Sequence, residues 1–363
     1  MAAGRHYGTD KSTELIPSTM HVSDFDYELP EHLIAQRPLD ERDASRMLVL
    51  DRPKQSWSDS TFQTLVQYLH PNDVVVVNNS RVIPARLTGH REESGGHVEI
   101  FLISEVEPRV WKALVRPARR LQQGSSVVFG GGKLTAEIMD GPGQELRQVR
   151  FTCDGSFDSV LAEVGSTPLP PYIKRPSGLL AEDQERYQTV YSKHRGAIAA
   201  PTAGLHFTPK VLSEIGQRAQ LVEITLHVGY GTFEPVRVEN IDHHFVRSEP
   251  FEVSKTAAQV INGARDKGGK IIAVGTTTMR ALESSATEQG EVVARKGDAS
   301  LTIKPGHTFR IADALLTNFH LPRSSLLLLV SAFAGRELVL EAYRYAVKQG
   351  YRFYSYGDCM LIL

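Results

Sequence analysis

The sequence predicts an α/β protein in which a largely parallel sheet with flanking helices carries a small inserted β-barrel. Three observations predict it. Short alternating or β-branched runs fill the stretch from Val82 to Cys153, separated by Gly-rich turns with no helix-length periodic segment between them. After Thr189 strands and helices alternate, which is the pattern of a parallel sheet. Asp73 to Asn78, an unbroken β-branched strand of that same sheet, stands just before the β unit, so the barrel interrupts the α/β domain. The expected division is a flexible N-terminal extension over 1–19, the α/β domain over 20–80 and 154–363, and the barrel over 81–153.

In the β unit the strands are Val82 to Leu87, His97 to Ile103, Val110 to Val115, Ser126 to Phe129, Lys133 to Ile138 and Gln148 to Thr152. Gly130-Gly131-Gly132-Lys133 sits between two of them with no helix behind it, so it reads as a hairpin turn rather than a phosphate loop. Thr208 followed by Pro209 caps a helix to about Ala219, and the strand Leu221 to Val228 follows. Ser254 caps a second helix to about Lys267, Gly268-Gly269 ends it, and Lys270 to Val274 is a buried strand. Gly275-Thr276-Thr277-Thr278 opens a third helix toward Thr287. The apolar run Leu326 to Val330, extended to Ala334, lies between Arg323 and Arg336 and is shorter than the roughly 20 residues a bilayer requires, so it reads as a buried helix.

A chain of 363 residues, 41% of them hydrophobic, has ample material for two domains. Its two cysteines, Cys153 and Cys359, offer neither a disulfide framework nor a Cys-x-x-Cys site, and the cytoplasm is the expected compartment. Net charge is −1, which argues against coating nucleic acid by charge alone. Locally, eight Lys/Arg stand against five Asp/Glu from Arg81 to Arg120, and Lys174-Arg175 follows the proline-rich 168–171. One reading is a solvated strand surface; the other is a set of phosphate contacts.

Ala200-Pro201-Thr202-Ala203-Gly204-Leu205-His206-Phe207 and Thr225-Leu226-His227-Val228-Gly229-Tyr230-Gly231-Thr232-Phe233 each set a histidine among glycine, threonine and aromatic residues. Such segments suit neither helix nor ordinary strand and usually line something. Ligands of open α/β sheets bind beyond the carboxyl ends of the strands. The segments 229–232, 275–278 and 318–322 fit that place, and the threonine triplet at a helix start suits a carboxylate or phosphate, with simple capping as the alternative. His206, His227 and His320 all lie in non-periodic chemistry, which points to a shared site. Asp242-His243-His244 is the only dense cluster of metal-ligand types, and adjacent residues on an extended chain point apart, so no metal is expected. Neither Gly-x-Gly-x-x-Gly nor Gly-x-Ser-x-Gly occurs where a nucleotide cofactor or a serine nucleophile would need it.

Further segments carry a resemblance almost end to end. They are Asp24 to Pro30, Leu33 to Pro38, Asn78 to Leu87, Pro170-Pro171-Tyr172-Ile173, Tyr187-Gln188-Thr189-Val190-Tyr191, both histidine segments, Val274-Gly275-Thr276-Thr277, Thr317 to Pro322, and Tyr354-Ser355-Tyr356-Gly357-Asp358. With these the chain resembles the S-adenosylmethionine:tRNA ribosyltransferase-isomerase family of queuosine biosynthesis. The resemblance implies an α/β domain with an inserted barrel, in agreement with the division above. It also implies transfer and isomerisation of a ribosyl group onto 7-aminomethyl-7-deazaguanine at the tRNA wobble position, with release of adenine and methionine. S-adenosylmethionine is then a co-substrate and no cofactor is expected; tRNA is the partner, no membrane is involved, and the chain is a monomer or a weak homodimer.

Under that resemblance His206 or His227 is the expected base, and Asp358 or His320 assists adenine departure. S-adenosylmethionine is expected at Thr202, Gly204, Gly229, Gly231, Thr232, Thr276, Thr277 and Asn318, with the two threonines of the triplet on the methionine carboxylate. Arg81, Arg86, Arg116, Lys174 and Arg175 are expected on tRNA phosphates. The chain departs from the family pattern His-x-Met-His-Ser-Glu at His244 to Glu249, where Arg247 replaces the second histidine. Arginine is always protonated, so that position carries no base here. His97 stands where the family often has lysine, and Cys359 replaces a small residue. A tRNA methyltransferase and a non-catalytic RNA-binding protein are the competing readings.

Overall fold

In the computed structural model, residues 19–176, 178, 180, 182–233 and 236–363 are described, with backbone alone for Thr232 and Phe233. The extension expected over 1–19 therefore lies, apart from Thr19, outside the described residues. The strands Arg295–Ala299, Glu249–Val253, Gln220–Leu226, Val74–Asn78, Ile271–Val274, Ala314–Asn318, Cys359–Ile362, Arg46–Asp51 and Ser56–Thr61 form one nine-stranded sheet in that order. The four strands from Gln220–Leu226 to Ala314–Asn318 are mutually parallel. Cys359–Ile362 runs against them and Arg46–Asp51 lies parallel to it, while Glu249–Val253 is antiparallel to both its neighbours and Ser56–Thr61 to Arg46–Asp51. The sheet thus has a parallel centre and antiparallel margins.

Alternation along Val74–Asn78 divides the core. Val74 and Val76 face one apolar layer, Val75 and Val77 the other, as a two-residue period requires. The first layer is covered by the helices Lys255–Arg265, Thr276–Ser284, Ser325–Ala334 and Arg336–Lys348. The second is covered by Pro209–Arg218 and the short 3-10 helix Phe62–Tyr68. A strand covered on both faces must be apolar throughout, which is why Val74–Asn78 shows no polar alternation. The helix starts are as the sequence predicts: the Thr208 hydroxyl accepts from Val211 N–H at 3.2 Å and the Ser254 hydroxyl from Ala257 N–H at 3.1 Å.

The inserted unit is a closed six-stranded antiparallel barrel of Arg86–Arg91, His97–Glu107, Val110–Arg116, Arg147–Thr152, Leu134–Ile138 and Ser126–Phe129, sealed by pairing of the first with the last. Gly130–Gly132 is the turn between two adjacent strands, as expected. The run Val82 to Leu87 is not one strand. Pro84, which lacks a donor, separates Arg86–Arg91 from Ser80–Val82, and the latter pairs with His194–Ala197 outside the barrel. The expected helix at 326–334 is Ser325–Ala334, and among the described residues no helix is long and apolar enough to cross a membrane.

Candidate active site

Register decides what meets at the carboxyl end of the sheet. Asn318, the last residue of its strand, pairs with Cys359, and Cys359 pairs with Met47. The segments before Cys359 and Met47 therefore reach the same edge as the loops after Val274 and Asn318. A pocket opens there, lined by Thr202, Thr276, Thr277, Asn318, His320 and Tyr354 among others. Val228, Ala199, Ala200 and Phe319 supply apolar wall, and among the described residues the lining contains no carboxylate, lysine or arginine.

The threonine triplet enters through Gly275, whose φ of 90° is a left-handed conformation that a side chain resists. With glycine as N-cap, the first-turn N–H groups of Thr276–Ser284 have no side-chain cap and are open to an anion. Thr278 Oγ1 donates to the Val274 carbonyl at 2.7 Å, while Thr277 Oγ1 has no partner.

His320 lines the pocket, with its backbone held on both sides: its carbonyl accepts from the Tyr27 hydroxyl and its N–H donates to Tyr343 Oη at 3.2 Å. Its Nε2 meets Thr317 Oγ1 at 2.9 Å. That hydroxyl also lies 3.4 Å from the Asn318 carbonyl, and which of the two atoms donates in the contact with Nε2 follows the tautomer of the ring. Burial pushes His320 down to about 3, so the ring is neutral.

His206 stands behind Asn318 rather than in the pocket. Asn318 donates its amide N–H groups to the carbonyls of Tyr354 and Ser355 at 2.9 and 3.1 Å, so its oxygen faces His206 Nε2 at 2.9 Å. Nε2 is then the donor, and Nδ1 accepts from the Ser45 hydroxyl at 2.9 Å. Both ring nitrogens are occupied, and burial, with Arg352 and Arg42 nearby, pushes the group down to about 4. His206 holds Asn318 in place.

The three histidines expected to share a site do not converge. Val228 faces the pocket, so its neighbour His227 turns to the opposite side and lines a different cleft with His194, Glu223 and Lys296. Asp358 is also diverted: its two carboxylate oxygens accept the N–H groups of Arg46 and Arg352 at 2.9 and 2.8 Å, which ties two chain segments together. Gly229 donates to Glu249 Oε1 at 2.7 Å and Gly231 packs on the Arg247 side chain, away from the pocket. Thr232 belongs to the 3-10 turn Tyr230–Phe233, and its side chain lies outside the described residues. Arg247 reaches across to Glu145 of the barrel at 3.3 Å.

Gly204 is a packing residue. A Cβ there would stand 2.1 Å from Tyr191 Oη and 2.8 Å from Thr189 Cγ2. Gly204→Ala is expected to cost about 1–3 kcal/mol of stability through overpacking; equal denaturant midpoints for variant and parent would contradict it.

Beside the pocket, the segment 170–175 forms a partition. Tyr172 lines the pocket, whereas Pro170, Pro171 and Ile173 line a cleft of about 750 Å³ facing the barrel. Arg86, Arg116 and Lys174 border that cleft, with Phe101 and Tyr230 as its aromatic surface. Lys174 is exposed and paired with Glu31. Arg175 also borders it, yet its guanidinium is held by Asp183 at 2.7 and 2.9 Å and by the Gln36 carbonyl, so it is a structural cation rather than a free phosphate ligand. Arg81 is exposed outside the cleft, 3.4 Å from Ser192 Oγ. Among the described residues no group of three or more His, Cys, Asp or Glu is placed to hold a metal.

Sequence reasoning missed Ser45, Tyr172, Tyr187 and Tyr354 as builders of this region. The tyrosines stood inside segments that the resemblance had flagged, and only their position in the fold separates pocket wall from core. A family model described as Queuosine biosynthesis protein matches residues 22–362 of the chain. A Halothermothrix orenii relative named S-adenosylmethionine:tRNA ribosyltransferase-isomerase is 48% identical over 345 residues, which cover 95% of this chain and 100% of the relative. A solved structure of S-adenosylmethionine tRNA ribosyltransferase from Thermotoga maritima is 38% identical with a TM-score of 0.52, covering 94% of this chain and 100% of the other.

Proposed function

The chain belongs to the S-adenosylmethionine:tRNA ribosyltransferase-isomerase family of queuosine biosynthesis, and from that membership we propose its particular reaction: the ribosyl group of S-adenosylmethionine is transferred and isomerised onto 7-aminomethyl-7-deazaguanine at the tRNA wobble position. Adenine and methionine leave, and epoxyqueuosine remains in the tRNA. The observation that carries this reading is the pocket at the carboxyl end of the sheet, in which, among the described residues, His320 is the sole imidazole and no carboxyl group competes with it.

The sulfonium of S-adenosylmethionine acidifies the adjacent 5′ carbon, and a neutral imidazole can take that proton. His320, which lines the pocket, takes the base role in place of His206 and His227. Adenine departs as the neutral base once it carries a proton, the amine attacks the 1′ carbon in its neutral form, and methionine departs as the thioether when the ring oxygen closes the epoxide. Thr276, Thr277 and the uncapped first turn hold the methionine carboxylate. Thr202 and Asn318 complete the polar wall, with His206 fixing Asn318. Arg86, Arg116 and Lys174 hold tRNA phosphates in the adjoining cleft, so binding weakens as salt is raised.

The test is an incubation with S-adenosylmethionine and tRNA carrying the aminomethyl-deazaguanine, with the released small molecules separated by chromatography. Adenine and methionine in equal amounts, dependent on that tRNA, are expected, and His320→Gln is expected to lose turnover by about 100-fold or more while still binding S-adenosylmethionine. Release of S-adenosylhomocysteine would mean methyl transfer and end the reading.

A further inference from the structure

Tyr187 takes no part in the reaction outlined so far, yet its hydroxyl is the most anomalous polar group of the pocket. The residue is fully buried, it lines the pocket, and its Oη has no hydrogen-bond partner. The Ala200 N–H and the Ser355 hydroxyl are near enough to act on it, but neither meets it in bonding geometry. Three other tyrosines around the site are satisfied: Tyr27 donates to the His320 carbonyl, Tyr172 bonds Ser355 Oγ, and Tyr343 accepts from His320 N–H, while Tyr356, whose hydroxyl is also unpartnered, is absent from the pocket wall. Buried hydroxyls are nearly always paired, so an orphan asks for a reason.

The ring cannot turn its hydroxyl to bulk water. Its backbone N–H is fixed to the Asp183 carbonyl at 3.1 Å, and the ring packs edge-on against Tyr356 with centroids 6.0 Å apart. A second orphan, Thr277 Oγ1, is also buried and lines the same pocket at the start of Thr276–Ser284. Two unpartnered hydroxyls and an uncapped helix start therefore border one space.

We propose that Tyr187 is a substrate-binding residue whose hydroxyl, like that of Thr277, is kept without a partner in the fold because an acceptor oxygen or nitrogen of S-adenosylmethionine completes it. This rests on the reading that the pocket takes S-adenosylmethionine. The arrangement sacrifices stability in the free protein for binding. It sets Tyr187 apart from Tyr191, whose hydroxyl is also unpartnered but belongs to the packing around Gly204 and is absent from the pocket wall.

Two conservative variants of the full chain, Tyr187→Phe and Thr277→Val, remove the hydroxyls at nearly constant shape. Thermal unfolding of the free protein and calorimetric titration with S-adenosylmethionine are then compared with the parent. The expected pattern has opposite signs: an unfolding midpoint equal to or above that of the parent, and S-adenosylmethionine bound about tenfold more weakly by each variant. A fall in the midpoint of Tyr187→Phe would show that its hydroxyl has a partner within the fold and overturn the assignment. Unchanged affinity in Tyr187→Phe, with a parent that binds, would overturn it too, the hydroxyl then being served by water. Failure of the parent itself to bind S-adenosylmethionine would instead strike the functional reading on which the assignment rests.

Discussion

Arg280→Met is expected to destabilise the protein by about 3–5 kcal/mol, because it strands Glu249 as an uncompensated buried charge. Both side chains are almost wholly buried and form an ion pair. Arg280 also donates to the carbonyls of Ala299 at 2.9 Å, Leu301 at 3.2 Å and Arg247 at 3.3 Å. Glu249 in turn accepts from Gly229 N–H at 2.7 Å. Burial alone pushes the Glu249 carboxyl up, and the Arg280 guanidinium and the Gly229 N–H pull it back. The pair joins the loop after Gln220–Leu226 to the helix that carries Thr276 and Thr277, so its loss loosens a pocket it does not touch. Arg280→Lys is expected to fail as well, since an ammonium cannot serve one carboxylate and three carbonyls in a planar fork. Urea unfolding checks both. The double variant Arg280→Met/Glu249→Leu should recover part of the loss, and equal losses in the single and double variants would remove the ion pair as the cause.

Acid is expected to destabilise the native state through His206 and His320. Both are neutral when folded, at about 4 and about 3, against the 6.5 of a free imidazole. The unfolded chain binds the proton first as pH falls, so each histidine contributes stability that is complete above pH 6.5 and is lost as pH drops toward the folded value. The slope is about 1.4 kcal/mol per pH unit for each group within that window. Glu249 and Asp358, raised by burial, act in the opposite sense, since the native state protonates them before the unfolded chain does. The informative quantity is therefore the difference between the parent and His206→Gln or His320→Gln. Unfolding free energies at pH 5, 6 and 7 should fall less steeply with acid in each variant; parallel profiles would show that the ring is charged or exposed in the native state.

Much of the fold is carried by local chemistry and is therefore readable along the chain. A threonine followed by proline starts a helix wherever it packs, and the Thr208 and Ser254 caps form as written. Four successive valines between Asp73 and Asn78 have no use except in a strand covered on both faces, and that strand is central. The Gly-rich turn at 130–132 and most of the barrel strands follow from the same local rules. The strands Arg46–Asp51 and Cys359–Ile362 lacked such signals. They are strands because each finds a partner about three hundred residues away in sequence.

Roles within the site depended on partners of that distant kind. The sequence by itself determined that three histidines lie in non-periodic segments and that a threonine triplet opens a helix just after a sheet strand. Tertiary structure alone decided that His320 faces the pocket, that His206 is bound between Ser45 and Asn318, and that His227 turns away beside Val228. It likewise gave Arg175 to Asp183 and Asp358 to two backbone N–H groups, and left Tyr187 with none. The physical reason is that residue type sets what a side chain can bond, whereas register and the packing of distant segments set what it meets.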